Sequence, residues 1–239
     1  YQKSGYNWLN QMNDLGFGAC LADDMGLGKT LQVISFLEKM YEKKKDGHVL
    51  LIVPASLLGN WSKEIDRFAP KMPYYILHGK NNIIHDDTFI TITTYGMALR
   101  NEFLQERVWD CLILDEAQAI KNPATKQTRA IKKIPSHMRI AMTGTPIEND
   151  LSNLWSLFDF LNKGLLGSAS DFKEYTKKVQ AYPEYMTKLK MMVSPFILRR
   201  LKTDKTIISD LPDKMEITEH VDLSKRQVVL YRKEVDKAE

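Results

Sequence analysis

Two short stretches of this chain carry residue types that could handle a phosphate chain: Asp24-Met25-Gly26-Leu27-Gly28-Lys29-Thr30 and, far downstream, Asp115-Glu116. A glycine-bearing turn that opens a helix directs unpaired backbone N–H groups and the positive end of the helix dipole at an anion. Gly26 and Gly28 let the backbone close around phosphates, Lys29 is suited to neutralise the β- and γ-phosphates, and the Thr30 hydroxyl to hold Mg²⁺. The strict phosphate-loop pattern wants glycine where Asp23 stands. That departure excludes many nucleotide kinases and GTPases but leaves a Gly-x-Gly-Lys-Thr core. Asp115-Glu116 closes the apolar run Cys111–Leu114, at the carboxyl end of a strand, where α/β sheets place their sites. Asp115 could bind Mg²⁺ directly or through water, and Glu116 could polarise an attacking water. Passive nucleotide binding has no use for the second carboxylate, so the pair implies hydrolysis of a nucleoside triphosphate. A chance turn and a solvated acidic turn are the bland alternatives, and their co-occurrence weakens both.

Residues in such positions need strands to carry them. Short β-rich apolar runs at Ala19–Ala22, His48–Val53, Tyr74–His78, Thr88–Thr93, Asp110–Asp115 and Met138–Thr143 alternate with helical patterns near 29–45, 56–68, 96–106 and 124–134. Several runs are apolar on both faces, as strands covered on each side must be. The pattern predicts an open, mainly parallel α/β sheet. From about 150 to 196, Leu151, Leu154, Trp155, Leu157, Phe158, Leu161, Phe172, Tyr175 and Val179 recur at helical spacing, which predicts a helical appendage of about three helices. Met215–Asp222 alternates as one more strand, and Ser224 could cap a helix running to Glu239.

Composition narrows the class. With 239 residues, 44% hydrophobic and 27% charged, the chain can bury a substantial core. Its longest apolar stretch, from Val49 to Gly59, contains Pro54 and falls short of the roughly 20 residues of a membrane helix. The start has no basic-then-apolar signal pattern. The expectation is a protein without a membrane partner, cytoplasmic and nucleoid-associated if bacterial or archaeal, nuclear if eukaryotic. Cys20 and Cys111 lie in apolar runs without a Cys-x-x-Cys pair or neighbouring histidines, and read as reduced core thiols. A net charge of +4 permits a polyanionic partner without requiring one. Trp61, Trp155 and Phe158 lie on apolar helical faces and read as core rather than as stacking platforms.

Ala22-Asp23-Asp24-Met25-Gly26-Leu27-Gly28-Lys29-Thr30-Leu31-Gln32 resembles the first motif of the Swi/Snf family of DNA-dependent ATPases, in helicase superfamily two. Further stretches follow in the family's order. Tyr1-Gln2 with Asn7-Trp8-Leu9 resembles its glutamine motif, Val53-Pro54-Ala55-Ser56-Leu57-Leu58 with Asn60-Trp61 its segment Ia, and Ile92-Thr93-Thr94-Tyr95 its segment Ib. Asp115-Glu116-Ala117-Gln118 with Ile120-Lys121-Asn122 resembles motif II, and Thr143-Gly144-Thr145-Pro146-Ile147-Glu148-Asn149 motif III. Pro195-Phe196-Ile197-Leu198-Arg199-Arg200 and Asp210-Leu211-Pro212-Asp213-Lys214 extend the likeness over nearly the whole chain, in a form most like the bacterial and archaeal members.

The resemblance implies a RecA-like P-loop NTPase lobe with a small helical insertion. The ATP-binding lobe would span 1–149 and a helical protrusion 150–196. The chain would return to the lobe for its last strand at 197–223 and start a further helical region at 224–239, with a second RecA-like lobe beyond. It implies ATP and Mg²⁺, with Gln2, Asp24, Met25, Gly26, Leu27, Gly28, Lys29 and Thr30 around the nucleotide and Thr30 and Asp115 on the metal. Lys29, Asp115 and Glu116 would be catalytic. Gln118, Thr143, Gly144 and Thr145 would couple the γ-phosphate to DNA. Pro54, Ala55, Ser56, Thr93, Thr94 and Lys121, with Lys80 as a further candidate, would face duplex DNA, and Arg199-Arg200 could brace the junction between the two lobes. A translocase that moves on duplex DNA without separating strands is the first expectation, remodelling complexes with DNA-bound proteins. A nucleotide-dependent binding module and a strand-separating motor are the alternatives.

Overall fold

The computed structural model describes residues 1–79, 85, 87–144 and 151–204. The expected last strand near 215–222, the helix from 225, Asp210–Lys214, Lys80 and Thr145–Asn149 lie outside them. Within the described part, seven parallel strands form one sheet in the order β3-β4-β2-β5-β6-β1-β7. They are β1 Ala19–Leu21, β2 Val49–Val53, β3 Tyr74–Leu77, β4 Ile90–Thr94, β5 Trp109–Leu114, β6 Ser136–Met142 and β7 Ile197–Leu198. The first six fall where the apolar runs predict them. No disulfide joins Cys20 and Cys111, which are free and fully buried on β1 and β5. Burial pushes the Cys20 thiol up to about 12 and Cys111 higher still, so both remain protonated core groups.

Alternation along the strands divides the core in two. Val49, Leu51 and Val53 of β2 join Ala19 and Leu21 of β1 and Cys111 and Ile113 of β5 on one face. That face is covered by α1 Gln2–Asp14, α2 Lys29–Lys43 and α3 Leu58–Phe68 through Leu9, Met12, Phe36, Leu37, Trp61 and Ile65. Leu50, Ile52, Leu112 and Leu114 point the other way, against α4 Tyr95–Arg100, α5 Lys126–Lys133 and α6 Leu151–Leu161. The period-2 geometry of a strand feeds both cores from one apolar run.

Sheet register decides where the motifs go. Leu21 is level with Met142 and Leu198, Ala141 with Leu114, Leu114 with Ile52, and Val53 with Thr94. The residues that follow each strand therefore emerge along a single edge: Asp23, Thr143, Asp115, Pro54, Tyr95 and Arg200. Neighbouring parallel strands stand about 4.8 Å apart, so β1 and β5, separated only by β6, bring the phosphate loop and the carboxylate pair within reach of one triphosphate.

Three elements differ from expectation. Helix α1 forms at the start without any side-chain N-cap, held instead by packing of Leu9, Met12 and Tyr6 against the core. The pattern at 96–106 breaks at Asn101 into α4 and a 3-10 turn Glu102–Gln105. At the end of the described chain the structure places the two-residue strand β7 beside β1. Beyond α6, α7 Ala169–Ala181 and α8 Pro183–Val193 pack through Phe172, Leu189 and Val193 on Leu154 and Phe158 of α6. Helix α6 also sends Leu157, Phe160 and Leu161 into the sheet core, and Asn162 clips the start of β1, accepting from the Gly18 N–H at 2.8 Å and donating to its carbonyl at 3.1 Å. No helix among the described residues is long and apolar enough to cross a membrane.

Gly5 of α1 has no room for a side chain, since a Cβ there would stand 1.8 Å from Gln32 Oε1 of α2 and 2.8 Å from Arg200 Nη2. Alanine is the better helix former by about 1 kcal/mol, yet here its methyl would displace polar atoms. Gly5→Ala is therefore expected to lower the free energy of unfolding by about 1–3 kcal/mol, as for other overpacked sites, read as a fall in the urea midpoint at unchanged slope; an unchanged or raised midpoint would show that α1 has room to move away.

Candidate functional site

Strand β1 ends in a loop whose backbone requires glycine at two points: Gly26 has φ +84° and Gly28 φ +74°. Gly28 is also closely approached, since a Cβ there would lie 2.3 Å from Gln2 Nε2. The first turn of α2 begins at Lys29, so its free N–H groups open into the loop. Lys29 Nζ donates to the Asp23 carbonyl at 2.6 Å, folded back over the loop. Leu27 is fully buried beneath the loop while Met25 stands 77% exposed at its tip. Beside the loop, a cleft of about 370 Å³ between α1 and α2 is lined by Gln2, Tyr6, Leu31, Gln32 and Ser35 among others.

Asp23 explains its own departure from the strict pattern. It has no exposed surface, and Arg200 claims both its oxygens: the Arg200 N–H and Nε donate to Oδ1 at 3.0 and 2.9 Å, and Nη2 forms an ion pair with Oδ2. Gln32, itself buried in α2, donates to Asp23 Oδ2 at 3.2 Å and accepts from Arg200 Nη2 at 2.6 Å. Arg200 Nη1 reaches the Tyr1 carbonyl, Asp24 N–H donates to the Arg200 carbonyl at 3.0 Å, and Lys202 N–H donates to Asp24 Oδ2 at 3.0 Å. The segment after the helical protrusion is thus bolted to the phosphate loop. Arg199-Arg200 could brace a junction between lobes; within this one the Arg200 guanidinium is committed to Asp23, Gln32 and the Tyr1 carbonyl. The sequence signal was the departure itself, because a carboxylate beside a buried strand needs a cation.

Strand β5 leads directly into Asp115, whose N–H donates to the Ile52 carbonyl of β2 at 2.9 Å. Its Oδ2 accepts from Trp61 Nε1 at 2.8 Å and its Oδ1 from the Glu116 N–H at 2.9 Å. Burial pushes the Asp115 carboxyl above its usual range, and those two donors oppose the shift. Glu116 is the one non-glycine residue with positive φ among those described, at 51°, a conformation that costs on the order of 1 kcal/mol or more. Gln118 donates to Glu116 Oε2 at 2.6 Å and accepts from Thr143 Oγ1 at 3.2 Å, while Thr143 N–H donates to the Leu21 carbonyl of β1 at 3.1 Å. Tyr95 OH donates to the Asp115 carbonyl at 2.6 Å and lies 3.5 Å from that of Glu116. Burial and the two nearby carboxylates hold the Tyr95 phenol well above its usual range, so it stays a donor.

Thr30 and Asp115 offer one hydroxyl and one carboxylate, a donor set that suits Mg²⁺ because this ion keeps several waters and takes phosphate oxygens as partners. Among the described residues, no three His, Cys, Asp or Glu side chains converge, so the rest of such an ion's shell would have to come from water and nucleotide.

Of the residues expected to face DNA, Ala55 and Ser56 are exposed and Pro54 and Lys121 half-buried at the same strand edge. Thr93 corrects the expectation: it is fully buried and its hydroxyl donates to the Leu77 carbonyl at 2.9 Å, tying β4 to β3. The Thr94 hydroxyl accepts from the Met97 N–H at 3.3 Å and caps α4, with 6% of the residue exposed. Gly144 is in place beside Thr143; Thr145 lies outside the described residues. Trp61 is core, as read, with 1% exposure, but its indole N–H on Asp115 had no signature in the sequence.

The SNF2-related domain family matches residues 1–239. The ATP-dependent helicase/translocase candidate YwqA of Bacillus subtilis is 43% identical over 97% of this chain and 26% of its own length. The chromatin-remodelling ATPase INO80 of Saccharomyces cerevisiae is 36% identical over 97% of this chain and 17% of its own. A solved SWI2/SNF2 ATPase core of Sulfolobus solfataricus, in complex with double-stranded DNA, superposes with a TM-score of 0.84 at 46% identity, over 99% of this chain and 51% of that one. The parallel sheet with helices on both faces is the RecA-like lobe of such cores. The chain spans about a quarter of YwqA and half of the solved core.

Removing either member of a buried ion pair strands the other, at a cost of about 3–5 kcal/mol. Asp23→Ala and Arg200→Ala are each expected to destabilise the fold by that order, and the double variant by clearly less than their sum. A denaturant double-mutant cycle measures this; strict additivity would show that the two side chains do not act on each other.

Proposed function

The chain belongs to the SNF2-related family of ATPases, and from that premise we propose that it is the ATP-binding half of a motor that hydrolyses ATP to move along double-stranded DNA. Strand separation forms no part of the reading, and its purpose would be the remodelling of DNA-bound protein complexes. The observation that carries the proposal is the shared strand edge, on which the phosphate loop, Asp115-Glu116, the chain Thr143–Gln118–Glu116 and the turns after β2 and β4 stand in contiguous register.

In this reading Gly26, Gly28 and the N–H groups of the α2 start cradle the β- and γ-phosphates, helped by Asp24, Met25 and Leu27 in shaping the loop. Lys29 leaves the Asp23 carbonyl to neutralise phosphate charge, and Gln2, beside Gly28, selects adenine at the mouth of the α1–α2 cleft. Thr30 and Asp115 hold Mg²⁺, which when bound withdraws charge from the phosphate oxygens. Glu116 orients and polarises the attacking water. Gln118 holds the Glu116 carboxylate and, through Thr143 and the adjoining Gly144 and Thr145, senses the γ-phosphate. Ser56 with the backbone around Pro54 and Ala55, the Thr94 turn and Lys121 grip phosphates of one DNA strand. Uncharged contacts suit a motor that must make and break them each cycle, and Lys121 would add a salt-sensitive attraction. Transition-state charge would be met by an arginine from a second RecA-like lobe, a contribution of about 10³–10⁵ in rate.

The ATPase of the full-length parent should rise on addition of duplex DNA; no stimulation by any nucleic acid would remove the translocase reading. Residues 1–239 on their own should turn over ATP weakly or not at all, and substantial turnover would refute the need for a second lobe. In the parent, Glu116→Gln is expected to keep ATP binding, read by nucleotide titration, and to abolish hydrolysis. Retained ATPase would take Glu116 out of its role.

A further inference from the structure

We infer that Trp61 and Tyr95 are positioning residues through which the DNA-facing turns act on the carboxylate pair, an inference that rests on the translocase reading above. Each lies on the helix that continues from a turn proposed to face DNA, Trp61 on α3 and Tyr95 at the start of α4, and each donates its only polar hydrogen to Asp115. Trp61 follows Ser56 within the continuous helical run formed by the 3-10 turn Ala55–Leu57 and α3. Tyr95 directly follows Thr94. The two aromatics come from opposite faces of the sheet, since Trp61 packs with α3 in one core and Tyr95 with α4 in the other.

Their two hydrogen bonds divide the work. The indole fixes Asp115 Oδ2 at 2.8 Å while the Glu116 N–H fixes Oδ1 at 2.9 Å, which sets the plane of the carboxylate. The phenol holds the Asp115 carbonyl at 2.6 Å and stands 3.5 Å from the Glu116 carbonyl, which braces the peptide that turns Glu116 into its left-handed conformation. Trp61 thus orients the proposed metal ligand and Tyr95 the proposed base. At 1% and 7% exposure neither ring can stack on a base. A burial requirement alone would be met by any partner for the N–H or O–H; here both partners are the same residue at the centre of the site. Rings packed at crystal density move with their helices, so a shift of the Ser56 or Thr94 turn on gripping phosphate is delivered to Asp115 and Glu116. A misplacement of about 1 Å at such a site is worth on the order of 10²-fold in rate.

Trp61→Phe and Tyr95→Phe in the full-length parent remove each donor and keep each ring. The expected result is a fall of about tenfold or more in the factor by which duplex stimulates ATPase, with ATP affinity and duplex affinity within about twofold of the unaltered parent at fixed salt. If both variants keep the stimulation factor, even at a lower absolute rate, the residues are only structural and the inference is overturned. Amide exchange of the unaltered parent supplies a readout that needs no variant. Duplex added without nucleotide should change the exchange of the Glu116 N–H, which rests on Asp115 Oδ1, together with residues 54–61 and 94–97. Protection of the DNA-facing turns with Glu116 unmoved would overturn the inference. A parent that neither binds duplex nor responds to it would instead sink the translocase reading.

Discussion

A carboxylate taken wholly out of water loses a hydration worth several kcal/mol, and only a cation with well-placed hydrogen bonds can replace it. Asp23 sets that demand at the point where β1 becomes the phosphate loop, and much of the molecule is arranged to meet it. Arg200 arrives from the far end of the described chain, which brings β7 alongside β1. Gln32 fills the remaining donor and acceptor positions from inside α2. Gly5 gives up its side chain so that α1 can close over the cluster. The loop proposed to curl around phosphate is therefore anchored at its root, while its two left-handed glycines shape its turn and Met25 stands exposed at its tip.

The second half of the site is held by different means. Asp115 and Glu116 rest on neutral donors from three directions: an indole, a phenol and the Gln118 amide. No cation forms an ion pair with either carboxylate among the described residues, and Lys29 acts on Asp115 only through its field, which in the proposed reading leaves the pair for a metal ion and a water. Asp23 is ion-paired directly with Arg200, whereas Asp115 and Glu116 rest on neutral hydrogen-bond donors, so the carboxylate that anchors and the carboxylates proposed for chemistry are held differently on the same sheet edge.

The strands were legible because a sheet covered on both faces writes unbroken apolar runs into the sequence, and the glycine–lysine–threonine loop and the acidic pair were legible because their chemistry tolerates few residue types. Helix α1 was not, since it lacks a capping residue and is stabilised by packing that only the folded chain provides. Strand β7 has two residues, too few for alternation to register. Thr93 and Thr94 illustrate a different limit: an exposed-looking polar pair at a strand end gives no sign that one hydroxyl serves the neighbouring strand and the other a helix cap. Trp61 was correctly placed in the core, but hydrophobic periodicity has nothing to say about where an indole N–H points.

Helix α6 contributes to two cores at once and is pinned at its end by Asn162 on Gly18. A grafting boundary drawn where the helical character of the sequence begins, near Leu151, would strip Leu157, Phe160 and Leu161 from the sheet and expose it. The next turn that spares the sheet core lies beyond Asn162, before the Ser168 cap of α7. Chimaeras that exchange protrusions between relatives, or that replace one with a reporter domain, have their natural cut sites there and before Pro195, leaving β1 covered and the Arg200 anchor intact.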